Sequence, residues 1–199
     1  MAREDDDIRA IARCLYETDP YIYPYAYADA EDPAWVETVA CGFAAKRNVF
    51  SRAHLSVALK GDTIVGVLCT LPCGTALTFA EDLPERLREG DAFHGVNEGY
   101  FKPLIEESLD LCGYNVSNLC VAAPYRGLGI GEALLEFGVE RYGTSPIYLD
   151  VIASNTPAVR LYQKLGFAIQ KEYLGFSGSD TPLPCYQMLR MPQKNGEPL

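Results

Sequence analysis

The chain has 199 residues, of which 48% are hydrophobic and 22% charged, and this size and composition are typical of one globular domain spanning residues 1–199. Its formal net charge of −10 at pH 7 disfavours nucleic acid and anionic membrane surfaces as partners, because both repel an acidic protein. No apolar run is long enough to span a bilayer, and the start MAREDDDIRA lacks the apolar core of a signal peptide, so we expect a cytoplasmic protein.

The N-terminal part predicts two helices separated by a tyrosine-rich segment. Apolar residues at helical spacing predict a helix over residues 5–17. Residues 19–27 (DPYIYPYAY) contain two prolines, which predict a loop or short irregular segment that is either packed surface or an aromatic wall of a pocket. Asp32 is a candidate N-cap and Pro33 a candidate first helical residue, so a second helix is expected to about residue 47.

A hairpin and a less regular stretch come next. Two β-rich runs flank the turn Lys60-Gly61-Asp62 and predict strands over residues 54–59 and 63–71. The pattern that follows is mixed. It predicts helices over residues 83–90 and 101–111, with a loop, GVNEGYF, between them.

The second half of the chain alternates strands and helices. The expected elements are a strand over 114–121, a glycine loop and helix to about 142, a strand over 146–152, a helix from 154 to 166, and strands over 167–176 and 184–191. This order predicts an α+β fold in which helices pack on a mixed sheet.

Cysteine and histidine do not occur in a pattern that binds metal. The seven cysteines are odd in number and contain no CxxC pair, and His54 and His94 are the only histidines. We therefore expect reduced, mostly buried thiols, no disulfide framework and no metal site.

Residues 125–131 read YRGLGIG, which places three glycines just ahead of a predicted helix. A helix N-terminus presents unpaired backbone N–H groups and the positive end of the helix dipole, so it attracts anions such as phosphate. Glycines let a phosphate approach the backbone, and Arg126 either adds a charge-assisted hydrogen bond or braces the loop. The loop lacks the lysine of a P-loop, and its third glycine is displaced from the dinucleotide fingerprint. Phosphate binding is therefore favoured over a tight turn without a ligand.

Two linked motifs resemble those of the GNAT superfamily of acyl-CoA-dependent N-acyltransferases. The Arg-x-x-Gly-x-Gly element and the later Asn-x-x-Ala-x-x-x-Tyr-x-x-x-Gly-Phe element occur in the expected order, and the resemblance covers about residues 115–176. It implies the GNAT α+β sandwich, with a central mixed sheet splayed at the acetyl-CoA strand and helices on both faces. Many relatives have a proline three residues before the arginine, where this chain has Ala123 followed by Pro124.

The resemblance also implies acetyl-CoA as co-substrate and the residues that hold it. The pantetheine arm is expected to pair with the backbone of Leu119, Cys120 and Val121. The pyrophosphate is expected on the N–H groups of the glycine loop, which consists of Arg126, Gly127, Leu128, Gly129, Ile130 and Gly131. Asn155 heads the next helix and is expected to cap it, to contact the cofactor, or both.

Tyr162 and Asp150 are the catalytic candidates. By pattern alone Tyr162 is a core tyrosine; by resemblance it is the general acid toward the departing thiolate. Asp150, in the strand PIYLDVI, matches by resemblance the acidic residue that is the general base in some GNAT members that acetylate protein N-termini. Its other interpretation is an outward-facing strand residue or a partner for a nearby lysine. Glu98, His94 and a water are weaker candidates for the base, and Cys120 is interpreted as strand packing rather than as a nucleophile.

The expected reaction is transfer of an acetyl group from acetyl-CoA to a primary amine by direct attack in a ternary complex. The acceptor is a small molecule or a protein amino group, and the acidic balance favours a polycationic amine. Lys164 and Lys171 are expected to be solvated surface charges. A non-catalytic acyl-CoA sensor on the same fold is the alternative, and homodimer formation is left open.

Overall fold

The computed structural model describes residue 2 and residues 7–75, 77–177 and 181–192. The described chain forms a six-stranded sheet in the order β1-β2-β3-β4-β6-β5, in which only the β3–β4 pair is parallel. The strands are β1 Leu55–Lys60, β2 Thr63–Pro72, β3 Tyr114–Val121, β4 Ile147–Ile152, β5 Ala168–Gly175 and β6 Leu183–Arg190. The predicted mixed sheet is thus confirmed.

Seven α-helices are found among the described residues, together with one π-helical turn and two 3-10 turns. The α-helices are α1 Ile8–Tyr16, α2 Ile22–Ala26, α3 Pro33–Ala44, α4 Asp91–Val96, α5 Lys102–Leu109, α6 Ile130–Tyr142 and α7 Thr156–Lys164. The π turn, Asn97–Phe101, joins α4 to α5, and the 3-10 turns are Glu85–Leu87 and Ala123–Tyr125. No helix in these described ranges is long and apolar enough to cross a membrane.

The sheet splits open between β3 and β4. The two strands pair only from Tyr114 to Val116 and from Ile147 to Leu149, although both continue for several residues. The β2–β3 ladder skips Ser117 at the same level, which marks a β-bulge in β3. A bulge bends its strand and increases the local twist, so β3 turns away from β4 just after its last paired residue. The splay expected at this strand is therefore confirmed.

Helices cover both faces of the sheet. Successive residues of a strand point to opposite faces. Accordingly, Val67 of β2 belongs to a core cluster with Trp35 of α3, whereas the adjacent Leu68 belongs to a second cluster with Leu135 of α6 and Tyr162 of α7. The larger cluster packs α1, α2 and α3 on one face, and the smaller packs α6 and α7 on the other.

The predicted loop over residues 19–27 is partly wrong, because α2 lies within it. The Oδ1 atom of Asp19 accepts hydrogen bonds from the N–H groups of Tyr21 and Ile22, which start the helix. Pro24 is in the first turn of α2, where its missing N–H costs no intrahelical bond. Tyr23 is buried against Trp35, with ring centroids 4.7 Å apart, so tertiary packing stabilises this short helix.

The predictions for residues 83–101 are also wrong in part. Only the 3-10 turn forms within the predicted helix 83–90, and the predicted loop GVNEGYF is the end of α4 plus the π turn. The two glycines of this segment allow close packing against aromatic side chains and do not mark a loop. A Cβ on Gly95 would lie 2.7 Å from Tyr25, and one on Gly99 would lie 2.9 Å from Phe176. The sequence pattern carries no information about these distant partners.

The helix ends follow local rules. Asp7 caps α1, because its carboxylate accepts hydrogen bonds from the N–H groups of Arg9 and Ala10; the start predicted at residue 5 lies outside the described residues. Asp32 caps α3 as predicted, but the helix ends at Ala44, before the predicted residue 47.

Candidate active site

A cavity of about 730 Å³ lies in the split between β3 and β4. Its wall is formed by the inner side of β3 after the bulge, the end of β4, the N-termini of α6 and α7, and the segment between α1 and α2. The predicted site residues that line it are Leu119, Val121, Arg126, Gly127, Gly129, Ile130, Gly131, Asp150, Asn155 and Tyr162.

The glycine loop forms an open turn into α6. Gly127 and Gly129 have φ angles of 76° and 78°, in the left-handed region that favours glycine, and a Cβ on either would meet nothing within 4 Å. The N–H of Ala133 bonds to the carbonyl of Gly129 at 3.0 Å, which is the start of the helical ladder. The N–H groups before Ala133 therefore precede that ladder and lie at the positive end of the helix dipole.

Arg126 braces this loop. Its Nε donates to the Val121 carbonyl at 2.9 Å, and its Nη2 donates to Glu17 Oε2 at 2.7 Å. The side chain therefore ties the loop to β3 and to the end of α1. The sequence left open whether Arg126 binds phosphate or braces the loop, and these contacts correspond to bracing.

The strand β3 presents alternate side chains to the cavity. Leu119 and Val121 line it, whereas Cys120 is buried on the opposite face in the larger core cluster. This position agrees with the interpretation of Cys120 as strand packing. Leu128, also predicted to contact the cofactor, does not line the cavity, and its side chain is 64% exposed. A contact from Leu128 would have to come from its backbone.

Tyr162 lies on α7 with its side chain 9% exposed at the cavity wall. Burial raises the pKa of its hydroxyl to about 12, so the group stays protonated at neutral pH. Within the described part of the chain, this hydroxyl has no hydrogen-bond partner. Asn155 caps α7, since its Oδ1 accepts from the N–H of Ala158 at 3.4 Å. A protonated donor on α7, a helix capped by Asn155, thus lies at the wall of the cavity.

Asp150 faces the cavity from β4, where the sequence left its direction open. The hydroxyl of Tyr173 donates to its Oδ1 at 2.9 Å. Burial raises the pKa of Asp150, and the hydrogen bonds from Tyr173 and Asn115 oppose that shift. A carboxylate whose pKa is moved toward neutrality is better matched to accept a proton near pH 7.

Three further polar residues line the same cavity as Asp150 and are absent from the site predicted from the sequence. Asp19 and Tyr21 come from the segment between α1 and α2, and Tyr100 comes from the π turn. Burial raises the pKa of both Asp19 and Tyr100. Asp19 and Tyr21 lie in the tyrosine-rich segment, for which the aromatic wall of a pocket was one of the two sequence-based interpretations. No sequence signal marks Tyr100.

The weaker candidates for a base, Glu98 and His94, lie outside the cavity lining. Glu98 is on the surface in an ion pair with Lys102 at 2.8 Å, and this pairing lowers its pKa. Lys164 and Lys171 are exposed, but each has an acidic partner, Glu132 and Glu107 respectively. All seven cysteines are free thiols.

Sequence comparison places the chain among acetyltransferases. A model of the acetyltransferase (GNAT) family matches residues 14–167. An N-alpha-acetyltransferase of Sulfurisphaera tokodaii is 39% identical over 102 residues, a match that covers 42% of this chain and 60% of that protein. A mycothiol acetyltransferase of Corynebacterium aurimucosum is 41% identical over 63 residues, covering 30% of this chain and 21% of that protein. These matches span less than two thirds of either relative.

Comparison with solved structures supports the same fold. A Corynebacterium glutamicum structure described as histone acetyltransferase HPA2 and related acetyltransferase gives a TM-score of 0.65 at 20% identity, covering 98% of this chain and 96% of that one. The ribosomal-protein-S18-alanine N-acetyltransferase of Escherichia coli gives 0.55 at 16% identity, with coverages of 100% and 96%. At these identities the likeness concerns the fold.

Proposed function

The chain belongs to the acetyltransferase (GNAT) family, whose members use acetyl-CoA, and on this premise we propose that it transfers an acetyl group from acetyl-CoA to a primary amine. The observation that carries the proposal is the meeting of three groups at one cavity. These are the open helix N-terminus at Gly129, the protonated hydroxyl of Tyr162 and the carboxylate of Asp150. Fold likeness alone would not support a specific chemistry.

The glycine loop fits the phosphates of acetyl-CoA. A bound pyrophosphate needs several N–H donors at one point and no side chain in the way. The left-handed turns at Gly127 and Gly129 and the empty space beside them meet both needs. Glu17 neutralises part of the charge of Arg126, so the backbone and the helix dipole carry most of the attraction in this proposal.

The strand β3 fits the pantetheine arm. Its residues after the bulge pair with β2 on one side and have no β4 partner on the other. Backbone groups on the open side of this segment, which includes Leu119, are therefore available to amide groups of a ligand, much as a strand edge accepts an added strand. The Val121 carbonyl is the exception, because it already accepts from Arg126.

Acetyl-CoA supplies the acetyl group as a thioester. In the proposed reaction, Asp150 takes one proton from the ammonium form of the acceptor, which frees the nitrogen lone pair. The nitrogen then bonds to the acetyl carbon as the carbon–sulfur bond breaks. Tyr162 protonates the leaving sulfur, and the second proton lost by the nitrogen restores its hydroxyl. Asp150 releases its proton to solvent, and transfer is direct in a ternary complex.

A cationic amine fits the acceptor end of the cavity. Asp19, Asp150, Tyr21 and Tyr100 lie there, so carboxylates and aromatic rings surround the position of the nucleophile. Both groups favour a positive charge. The Sulfurisphaera tokodaii relative is named for transfer to an α-amino group, so peptides with a free N-terminus belong in the first acceptor screen beside small diamines.

Ligand-dependent melting followed by a turnover assay tests the proposal. We expect acetyl-CoA and CoA at about a hundred times their Kd to raise Tm by about 5–10 °C, whereas NAD and ATP do not. A panel of peptides, diamines and monoamines is then assayed for CoA thiol release. Release that depends on the amine supports the transferase.

Two outcomes count against it in different ways. No shift with either CoA species overturns the cofactor assignment and the transferase with it. A shift without thiol release for any amine favours the second candidate, an acyl-CoA sensor. The observation that weighs against a sensor is the buried, protonated Tyr162 at the cavity wall.

A further inference from the structure

Asp150 lies on one face of the sheet with residues from the two strands beyond it. Asp150 of β4 is opposite Gln187 of β6, which is opposite Lys171 of β5. The next row on this face contains Cys185 and Tyr173. Directly opposite residues, and residues two positions apart along a strand, point to the same face. Tyr173 can therefore reach diagonally across β6, and its hydroxyl meets Asp150 Oδ1 at 2.9 Å.

We propose that Tyr173 is a positioning residue, which orients the Asp150 carboxylate toward the acceptor and keeps it ionised during turnover. This inference rests on the proposed function, in which Asp150 is the base. Tyr173 does not line the cavity, so it acts through Asp150 rather than on the substrate. A free carboxylate rotates among several orientations, whereas a hydrogen bond to one oxygen restricts it.

The Tyr173 hydroxyl is always protonated, so it always donates its hydrogen bond to Asp150. Burial and the adjacent Asp150 raise the pKa of the Tyr173 hydroxyl far above its usual value, so it carries its proton throughout the working range. A donor to the charged form stabilises the carboxylate relative to the acid. Tyr173 therefore opposes the burial that raises the pKa of Asp150.

Other groups near Asp150 act in both directions. Glu107 of α5 raises its pKa, because two like charges repel, and Lys171 lowers it. Lys171 is itself tied to Glu107, at 3.4 Å, and its Nζ lies 5.4 Å from the centre of the Tyr173 ring. Tyr100, Cys185 and Asp19 also face this region, and Asp150 disfavours ionisation of the first two.

This arrangement offers two substitutions with opposite expected signs. Tyr173→Phe removes the donor but keeps the ring and its contact with Lys171, so the pKa of Asp150 should rise. Glu107→Gln removes a repelling charge and releases Lys171 from its partner, so the pKa of Asp150 should fall. Glu107 is exposed, and the change preserves its shape.

The test is the pH dependence of kcat at saturating acetyl-CoA and amine. Every enzyme is assayed with the same amine, so that the titration of the amine contributes equally to all the profiles. For Tyr173→Phe we expect the acidic limb to move up by about one pH unit, the scale set by one hydrogen bond to a partly exposed charged group. For Glu107→Gln we expect a smaller downward move. The Tm of both variants should match that of the parent within about 2 °C.

Asp150→Asn separates failure of this inference from failure of the proposed function. If it loses most of kcat while Tyr173→Phe leaves the acidic limb unmoved, the base stands and the positioning role is overturned. If Asp150→Asn keeps full kcat, the base assignment is wrong and the inference fails with it. An upward shift in Tyr173→Phe supports the positioning role, because a purely structural role for Tyr173 would leave its acidic limb unmoved. The downward shift in Glu107→Gln checks that the limb reports Asp150.

Discussion

The two ends of the cavity are built in different ways. The end assigned to the cofactor uses one contiguous segment, in which Gly127 and Gly129 expose the backbone at the start of α6. The end assigned to the acceptor uses side chains from four separate places: Asp19 after α1, Tyr100 in the π turn, Asp150 in β4 and Tyr173 in β5. Anion binding by backbone needs local geometry only, whereas proton transfer needs side chains brought together by packing.

This difference predicts that the two ends can be damaged independently. A change at the acceptor end should reduce turnover while cofactor binding persists. A change at the glycine loop should weaken cofactor binding while turnover by the loaded enzyme persists.

Tyr162→Phe is expected to lower kcat by about 10²–10⁴-fold, the usual contribution of a positioned general acid. The ring fills the same space, and the lost hydroxyl has no partner among the described residues, so folding should be unaffected. The Tm increase caused by CoA should remain. The measurements are steady-state thiol release and melting with CoA; an unchanged kcat would return Tyr162 to the role of a core tyrosine.

Gly129→Ala is expected to weaken CoA binding by about tenfold, since its methyl group occupies the phosphate approach. It should also lower stability by about 1–2 kcal/mol, the cost of a left-handed alanine. Gly61→Ala is the matched control. Gly61 also has a positive φ, 61°, with nothing within 4 Å of a Cβ, but it lies in the β1–β2 turn.

Both variants should lose stability to a similar extent, while only Gly129→Ala should lose affinity in CoA titrations. Equal affinities in the two variants would show that the glycine loop is a turn with no phosphate role.

Asp150→Asn is expected to raise Tm by about 2 °C at pH 7. The folded state raises the pKa of Asp150 above its ordinary value, so the folded protein binds this proton more tightly than the unfolded chain does. Stability from this group is therefore complete below the ordinary pKa and is lost as pH rises through the folded value. The asparagine variant avoids that loss.

The gain should shrink as pH falls to about 4, near the ordinary pKa of aspartate. Asp62→Asn, which replaces an aspartate at an exposed turn position, is the matched control. A gain of the same size at both pH values would contradict the titration argument. A gain confined to neutral pH would mean that the ionised base at the acceptor end lowers the stability of the fold.

Much of the fold was predictable because its signals are local. The strands β3 and β4, the turn at Gly61 and the caps Asp32 and Asn155 follow from strand alternation, glycine at positive φ and side-chain capping. The stretch of residues 73–113 was not predictable to the same degree. Two of its glycines, Gly95 and Gly99, allow close contacts with Tyr25 and Phe176, which are distant in sequence.

The glycine loop, the helix that follows it and the tyrosine of the next helix were predictable from the amino-acid sequence alone, because backbone torsion limits and helix periodicity act over a few residues. Tertiary structure was needed to show that Asp150 faces the split, that Tyr100 lines the same cavity and that Tyr173 contacts Asp150. Those positions depend on the bulge at Ser117 and on the register of β4, β6 and β5. Side chains from separate strands meet only once that register is set, since a slip of one residue would turn each of them to the other face.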